Sequence, residues 1–129
     1  MVKEDYLLRL AVIEQEMNRL EQQAQIIEQQ ALEMQILQKG LEEFEKSKEK
    51  QMLANLGRNI FVKTEIQDKN LLVDVGNRIF IRKNISETLR IVEEQLAKLT
   101  ETRNRVMFRI QEVQAQTEEI ITEAEKERE

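Results

Sequence analysis

Residues 52–85, MLANLGRNIFVKTEIQDKNLLVDVGNRIFIRKNI, decide the fold, because apolar residues here tend to recur with a period of two. Four runs of this segment, most of them rich in β-branched and aromatic residues, predict strands: residues 52–56, 60–66, 71–75 and 78–82. Residues 57–59 predict one turn, and Gly76-Asn77 is a two-residue hairpin signal of the kind that supplies positive φ. The segment therefore predicts two β-hairpins.

Two long heptad repeats flank this centre. In the first arm the apolar repeat runs through Tyr6, Leu10, Ile13, Met17, Leu20, Ala24, Ile27, Ala31, Met34 and, after polar Gln38, Leu41. In the second arm it runs through Ile85, Leu89, Val92, Leu96, Leu99, Val106, Ile110, Val113, Ile120 and Ala124, with Arg103 and Thr117 in the two gaps. Such spacing places one apolar stripe on each helix, and each stripe needs a partner helix. Because the arms are similar in length, the nearest partner for each is the other.

The helix limits follow from local signals. The first helix is predicted from about Val2 to about Lys50, and the second begins after Asn84, a good N-cap with Glu87 three residues on. Gly40 marks either a harmless irregularity or a bend where the coil leaves the sheet. We therefore predict a single α+β domain, mostly α, with helical arms at 1–50 and 84–129 and a β region at 51–83. Its fold class is a long antiparallel two-helix coiled coil joined by two β-hairpins.

The predicted hairpins have more apolar surface than one chain can cover. Six residues can face inward: Val62, Ile66, Val73, Val75, Ile79 and Ile81. Strict alternation places Phe61, Leu72 and Phe80 on the opposite face, and open strand edges invite other chains. We expect hairpins of several subunits to form an inter-subunit β-barrel, with these three residues at the oligomer interface. The alternative is that the helices fold back over one face.

Composition excludes several function classes. The chain has no Cys and no His, which excludes disulfides, Cys or His metal sites and a Ser-His-Asp triad. It has no phosphate-binding loop and no catalytic constellation, since carboxylates such as Glu93 and Glu94 lie on a solvated helix face. We predict that the protein is not an enzyme and uses no cofactor.

Charge and hydropathy define the expected surroundings. The two arms are acidic, with a net charge of −4 each, and the centre has a net charge of +3. Acidic arms would repel phosphates, so no nucleic-acid partner is expected. The amino terminus has no apolar signal core and no run approaches the ~18 apolar residues of a membrane span. We predict a cytoplasmic protein with no membrane partner.

The centre resembles a known family in sequence. Residues 56–66 resemble the first hairpin of the prefoldin α class, and residues 71–81 with Lys83-Asn84-Ile85 resemble its second hairpin and the start of its second helix. Two hairpins mark the α class, both archaeal and eukaryotic α-type, whereas the β class has one. The resemblance covers the whole chain in architecture but only residues 52–92 in sequence. Archaeal α subunits often carry more glycines in both turns than this chain does.

The resemblance implies an ATP-independent co-chaperone. Prefoldin joins two α-class and four β-class subunits into a hexamer with a double β-barrel body and six coiled coils. Its coil tips hold non-native proteins and deliver them to a cytosolic group II chaperonin. The resemblance thus implies β-class subunits, unfolded clients and that chaperonin as partners. Two alternatives are a self-assembling prefoldin-like scaffold and a coiled-coil adaptor that binds no unfolded protein.

The client surface can be predicted from apolar residues that lie beside the heptad stripe and widen the apolar face of the helix. In an antiparallel coil the two chain termini meet, and there the apolar surface is wider than the heptad stripe needs. The predicted client-binding residues are Leu7, Leu8, Ala11, Val12 and Ile121. End packing or a third-helix contact is the alternative. Met107 and Phe108 also lie off the stripe, but in mid-arm, where we interpret them as packing residues.

Overall fold

The chain forms two long helices that flank two small antiparallel hairpins, in a computed structural model that describes residues 2–128. In chain order the elements are α1 Val2–Lys46, β1 Gln51–Gly57, β2 Ile60–Glu65, β3 Leu71–Asp74, β4 Phe80–Lys83 and α2 Ile85–Arg128. The predicted mostly helical fold is confirmed. Two compact units result: a coil unit, which holds the chain up to Glu33 and from Leu96 onward, and a hairpin unit from Met34 to Gln95.

The core of the coil unit lies along the predicted heptad stripes. Leu20 and Ile27 of α1 pack with Val106 and Val113 of α2, and Val113 is fully buried. Partly buried residues extend this core on both helices: Ile13, Met17, Ala24, Leu99 and Ile110. The heptad prediction fails at one position, since Arg103 is exposed and its neighbour Thr102 is half-buried.

Ion pairs between the helices show that α1 and α2 run antiparallel in the coil unit. The Arg109 guanidinium lies 2.8 Å from the Glu16 carboxylate and 3.0 Å from Glu112. Nearer the helix ends, Arg9 lies 3.8 Å from Glu123. Early residues of α1 thus meet late residues of α2. The hydrogen bond and charge of Glu16 raise the pKa of Arg109, so the arginine remains charged.

The first helix ends at Lys46, four residues before the predicted limit at Lys50. The Lys69 ammonium, from the loop between the hairpins, donates hydrogen bonds to the carbonyls of Glu45 and Ser47 at 3.0 and 2.6 Å. A cation at this point interacts favourably with the unsatisfied carbonyls of a helix C-terminus. The contact joins residues far apart in sequence, so the local pattern did not reveal it.

Gly40 lies inside α1 without interrupting it, and a Cβ added there meets no atom within 4 Å. We expect Gly40→Ala to raise the free energy of unfolding by about 0.5–1 kcal/mol, because alanine loses less backbone entropy in a helix. Urea unfolding followed by circular dichroism measures the change. Gly76→Ala is the control, since Gly76 has a φ of +120° and alanine is strained there, so this variant should lose stability. A loss of stability in Gly40→Ala would contradict the prediction.

Both hairpins close through turns whose two central residues have positive φ. In the first hairpin these are Arg58 and Asn59, at 50° and 63°; in the second they are Asn77 and Arg78, at 52° and 59°. The second turn is therefore centred one residue later than the predicted Gly76-Asn77. The Ile79 amide closes it by donating to the Gly76 carbonyl at 2.9 Å. Such turns match the right-handed twist of paired strands.

The two hairpins share a sequence pattern around their turns. Residues 53–63, LANLGRNIFVK, align with residues 72–82, LVDVGNRIFIR, without a gap. In each hairpin an Asn or Asp side chain accepts a hydrogen bond from the glycine amide two residues on, at 2.8 Å. The strands pair separately, β1 with β2 and β3 with β4, and no third strand joins either pair within residues 2–128.

The start of α2 matches the predicted cap. The Asn84 side chain accepts a hydrogen bond from the Glu87 amide at 2.8 Å, and the helix begins at Ile85. Ile85 itself is buried. The cap thus fixes where the second hairpin ends and the helix begins.

Candidate functional site

The first candidate surface is the coil tip, formed by residues 3–13 of α1 and residues 116–127 of α2. The heptad stripe continues into it, with Tyr6, Leu10 and Ile13 half-buried and Ile120 buried. All five residues predicted to bind clients lie outside this stripe and are exposed: Leu7, Leu8, Ala11, Val12 and Ile121. The tip therefore presents apolar side chains that the helix pair does not cover.

Four of these five residues line two open grooves between the helix ends. The first groove, of about 540 Å³, is lined by Leu8, Arg9, Val12, Ile13, Gln116, Glu119 and Ile120. The second groove, of about 400 Å³, is lined by Lys3, Tyr6, Leu7, Leu10, Ile121, Ala124, Glu125 and Glu127. Leu8 and Val12 thus share the first groove, while Leu7 and Ile121 meet in the second. Ala11 is exposed but lines neither.

The sequence analysis did not predict the polar residues that line these grooves. Arg9 pairs across the tip with Glu123, and its guanidinium lies 5.7 Å from the centre of the Tyr6 ring. Glu119 lies in the wall of the first groove. Opposite charges that flank the heptad stripe often form ion pairs between the helices of a coiled coil. This pattern could have predicted the contact between Arg9 and Glu123.

Tyr6 reports on the electrostatics of the second groove. Desolvation raises the pKa of its phenol above the ordinary value of 10.0, and the hydrogen bond and charge of Glu127 add to the rise, against the opposing effect of Arg9. An acid whose pKa is raised by folding is held in its neutral form. Its contribution to stability is present below pH 10 and is lost as the pH rises through the folded-state pKa.

We expect the tyrosinate absorbance of the folded protein to appear at a higher pH than that of the protein in denaturant. Tyr6 is the one tyrosine and the chain has no tryptophan, so the signal has a single source. Glu127→Gln should narrow the difference between the two midpoints, whereas Glu93→Gln should leave it unchanged. Equal midpoints in the folded and denatured protein would contradict the assignment.

The second candidate surface is the hairpin face, defined by Phe61, Leu72 and Phe80. All three side chains are exposed, and in the strand register they lie opposite Asn55, Arg82 and Asp74 respectively. Among the six residues predicted to face inward, Ile66 and Val73 are half-buried and the other four are exposed. Each hairpin has only two strands, and most of its apolar side chains are exposed.

Other exposed apolar residues lie along the helices. Met107 and Phe108 are both exposed, so our interpretation of them as packing residues was wrong for this chain alone. They fall between buried Val106 and half-buried Ile110, on the side of α2 turned away from the stripe. On α1, Leu32 and Ile36 form a similar exposed pair one helical turn apart. Exposure by itself therefore does not distinguish the coil tip. At the tip, exposed Leu7 of α1 and exposed Ile121 of α2 meet in one groove between the helices.

The described residues give no sign of metal chemistry or a membrane span. Within residues 2–128 no group of three or more Asp and Glu side chains is arranged to hold a metal ion. In the same range, neither helix contains a segment apolar enough to cross a membrane.

Comparison with known proteins identifies the family. A model of the prefoldin subunit family matches residues 13–128. Among solved structures, the chain is similar to a filamentous prefoldin from Methanocaldococcus jannaschii, at 22% sequence identity and a TM-score of 0.53. That match covers 95% of this chain and 97% of the other. No curated protein sequence matches.

Proposed function

Because the chain belongs to the prefoldin family, we propose that it is an α-class co-chaperone subunit that captures non-native proteins at its coil tip without ATP. It would deliver them to a cytosolic group II chaperonin. The single observation that carries the proposal is the pair of apolar grooves at the tip. Non-native proteins expose apolar side chains that native proteins bury, and a groove lined by leucine and valine favours such chains.

The expected strength of each contact fits reversible capture. Fully burying one leucine contributes about 1.5–3 kcal/mol, and binding also costs translational and side-chain entropy. A tip with a few such residues therefore binds weakly. Several arms acting on one client raise its effective concentration, so an oligomer holds a client that a single arm would lose.

Assembly would occur through the hairpin face. The two hairpins leave four strand edges and the exposed side chains of Phe61, Leu72 and Phe80. Unpaired edges and exposed apolar faces are the features that another hairpin can cover by strand addition. Two hairpins on one chain support the α class, and hence a hexamer with four β-class subunits in the cytoplasm.

The test of client capture uses two matched double variants. Leu8 and Val12 are four residues apart on α1 and 68% and 62% exposed; Leu32 and Ile36 are also four apart and 57% and 64% exposed. We expect Leu8→Gln with Val12→Gln to weaken suppression of the aggregation of a refolding client, measured by light scattering. Leu32→Gln with Ile36→Gln should leave suppression intact. Native mass measurement verifies that both variants assemble with a β-class subunit.

Two results would overturn this placement. If the tip variant assembles and still suppresses aggregation fully, the capture surface lies elsewhere. If instead the Leu32 and Ile36 variant loses suppression, the exposed stripe of mid-helix α1 is the client surface. An assembly of the unaltered chain that never suppresses aggregation would favour the coiled-coil adaptor.

A second candidate function is self-assembly into a filament or scaffold. The similar structure from Methanocaldococcus jannaschii is a filamentous prefoldin, and this favours the candidate. Two hairpins of similar sequence give each chain two places where a hairpin of another chain could pair, and such repeated contacts generate filaments when they do not close into rings. Native mass measurement of the chain alone and with a β-class subunit separates the two. A growing series of masses for the chain alone supports the filament.

A further inference from the structure

We infer that the tip grooves select segments of non-native protein in which apolar side chains alternate with Lys or Arg. This inference rests on the proposed capture function and adds the class of segment that is captured. It is carried by the different chemistry of the two groove walls, one apolar and one carrying carboxylates.

The wall from α1 is mainly apolar in both grooves. In the first groove it consists of Leu8, Val12 and Ile13 with Arg9, and in the second of Tyr6, Leu7 and Leu10 with Lys3. The charge of Arg9 is partly offset, because its guanidinium lies 3.8 Å from Glu123 and above the Tyr6 ring. Alpha-1 therefore offers contact area and little net charge.

The wall from α2 carries the carboxylates. Glu119 lines the first groove, and Glu125 and Glu127 line the second, next to Ile120 and Ile121 respectively. All three glutamates are exposed. Residues 116–127 contain five acidic and one basic side chain, whereas residues 3–13 contain two of each sign. The excess negative charge of the tip thus lies on one side of each groove.

A segment that fits both walls has a defined pattern. Its apolar side chains would cover Leu8 and Val12 or Leu7, while its ammonium or guanidinium groups would approach the carboxylates of α2. Long basic side chains suit this place, because their methylene stems lie on apolar surface while the charge stays in water. An acidic segment with the same apolar residues would meet repulsion from the same carboxylates.

The preference should be modest and sensitive to salt. Exposed ion pairs each contribute little, so two or three of them correspond to about a five- to tenfold difference in affinity. Raising the salt concentration to about 1 M shortens the screening length to ~3 Å, and the preference should then largely disappear. The apolar part of the binding should remain.

The experiment uses three leucine-rich peptides that differ only in their polar residues: lysine, glutamine or glutamate. Calorimetry of each peptide with the assembled complex measures the three affinities. We expect the lysine peptide to bind about five- to tenfold more tightly than the glutamine peptide, and the glutamate peptide to bind most weakly.

Two double variants with equal changes in net charge test whether the groove carboxylates cause the preference for the lysine peptide. Glu119→Gln with Glu125→Gln should reduce the difference in affinity between the peptides, since only Glu127 of the three groove carboxylates remains. Glu93→Gln with Glu94→Gln, which changes the net charge equally at exposed positions of the hairpin unit, should keep the difference. Loss of the preference in this control would mean that overall charge acts rather than the grooves, and would overturn the inference.

Two further outcomes separate the inference from the proposed function. If all three peptides bind equally to the unaltered complex, charge selection is wrong and capture by the tip stands. If none of them binds, both charge selection and apolar capture at the tip are wrong.

Discussion

We expect a subunit carrying Phe80→Asp to remain a single chain in native mass measurement, whereas the unaltered protein should form the proposed oligomer. Phe80 is 58% exposed in β4 and lies opposite Asp74 in the strand register. In the proposed barrel this ring is buried against another subunit. A carboxylate there would have to lose its hydration without a partner, which costs several kcal/mol. Phe61 occupies the corresponding position of the first hairpin, so Phe61→Asp should have a similar effect.

Phe108→Asp provides the matched control for assembly. Phe108 is 63% exposed, close to the value for Phe80, but it lies on α2 in the coil unit. The same change of charge and volume is thus made on an equally exposed ring outside the hairpins. We expect Phe108→Asp to assemble normally. An unchanged oligomeric mass for Phe80→Asp would rule out the hairpin face as the interface.

Leu20→Ala will lower the free energy of unfolding by about 2–5 kcal/mol, the usual cost of truncating a buried leucine. Leu20 is 3% exposed and packs in the cluster with Ile27, Val106 and Val113. Removing its side chain leaves a void between two helices that meet along a single line, where few neighbours can move in to fill it. Denaturant unfolding at a fixed protein concentration measures the loss, because assembly also contributes to stability.

Leu32→Ala is the control for this core substitution. It makes the same chemical change on the same helix, but Leu32 is 57% exposed. Its effect should lie within about 0.5 kcal/mol of zero, as for most surface substitutions. If the two variants were equally unstable, the loss would come from the helix itself rather than from the core between the helices.

Features set by local sequence were predictable. The heptad spacing located the buried residues of both helices, and the Asn84 cap and the Arg58-Asn59 turn follow from rules that act over a few residues. The end of α1 was not predictable in this way, because it depends on Lys69, more than twenty residues away. Local rules also missed the shared sequence pattern of the hairpins, although the sequence contained it.

The coil tip was predictable only in part. The sequence predicted that Leu8 and Val12 lie outside the heptad stripe of α1, and both side chains are exposed. The shape of the grooves and the position of Glu119 in one wall depend on the alignment of α1 against α2. Two helices with similar stripes can slide by a heptad and keep their core, so spacing alone does not fix which glutamate meets which leucine. Cross-helix pairs such as Arg109 with Glu16 fix that alignment.

The cross-helix ion pairs also have a consequence for the order of folding. Arg109 and Glu16 are 93 residues apart, whereas the hydrogen bond from Thr64 to Met52 within the first hairpin spans 12 residues. Loop closure over the longer separation costs about 2 kcal/mol more entropy, so the hairpins should form before the helices pair. Helix pairing should then spread from the hairpins toward the chain termini. The tip grooves would therefore form last during folding. On unfolding, the helix ends that line them would separate first.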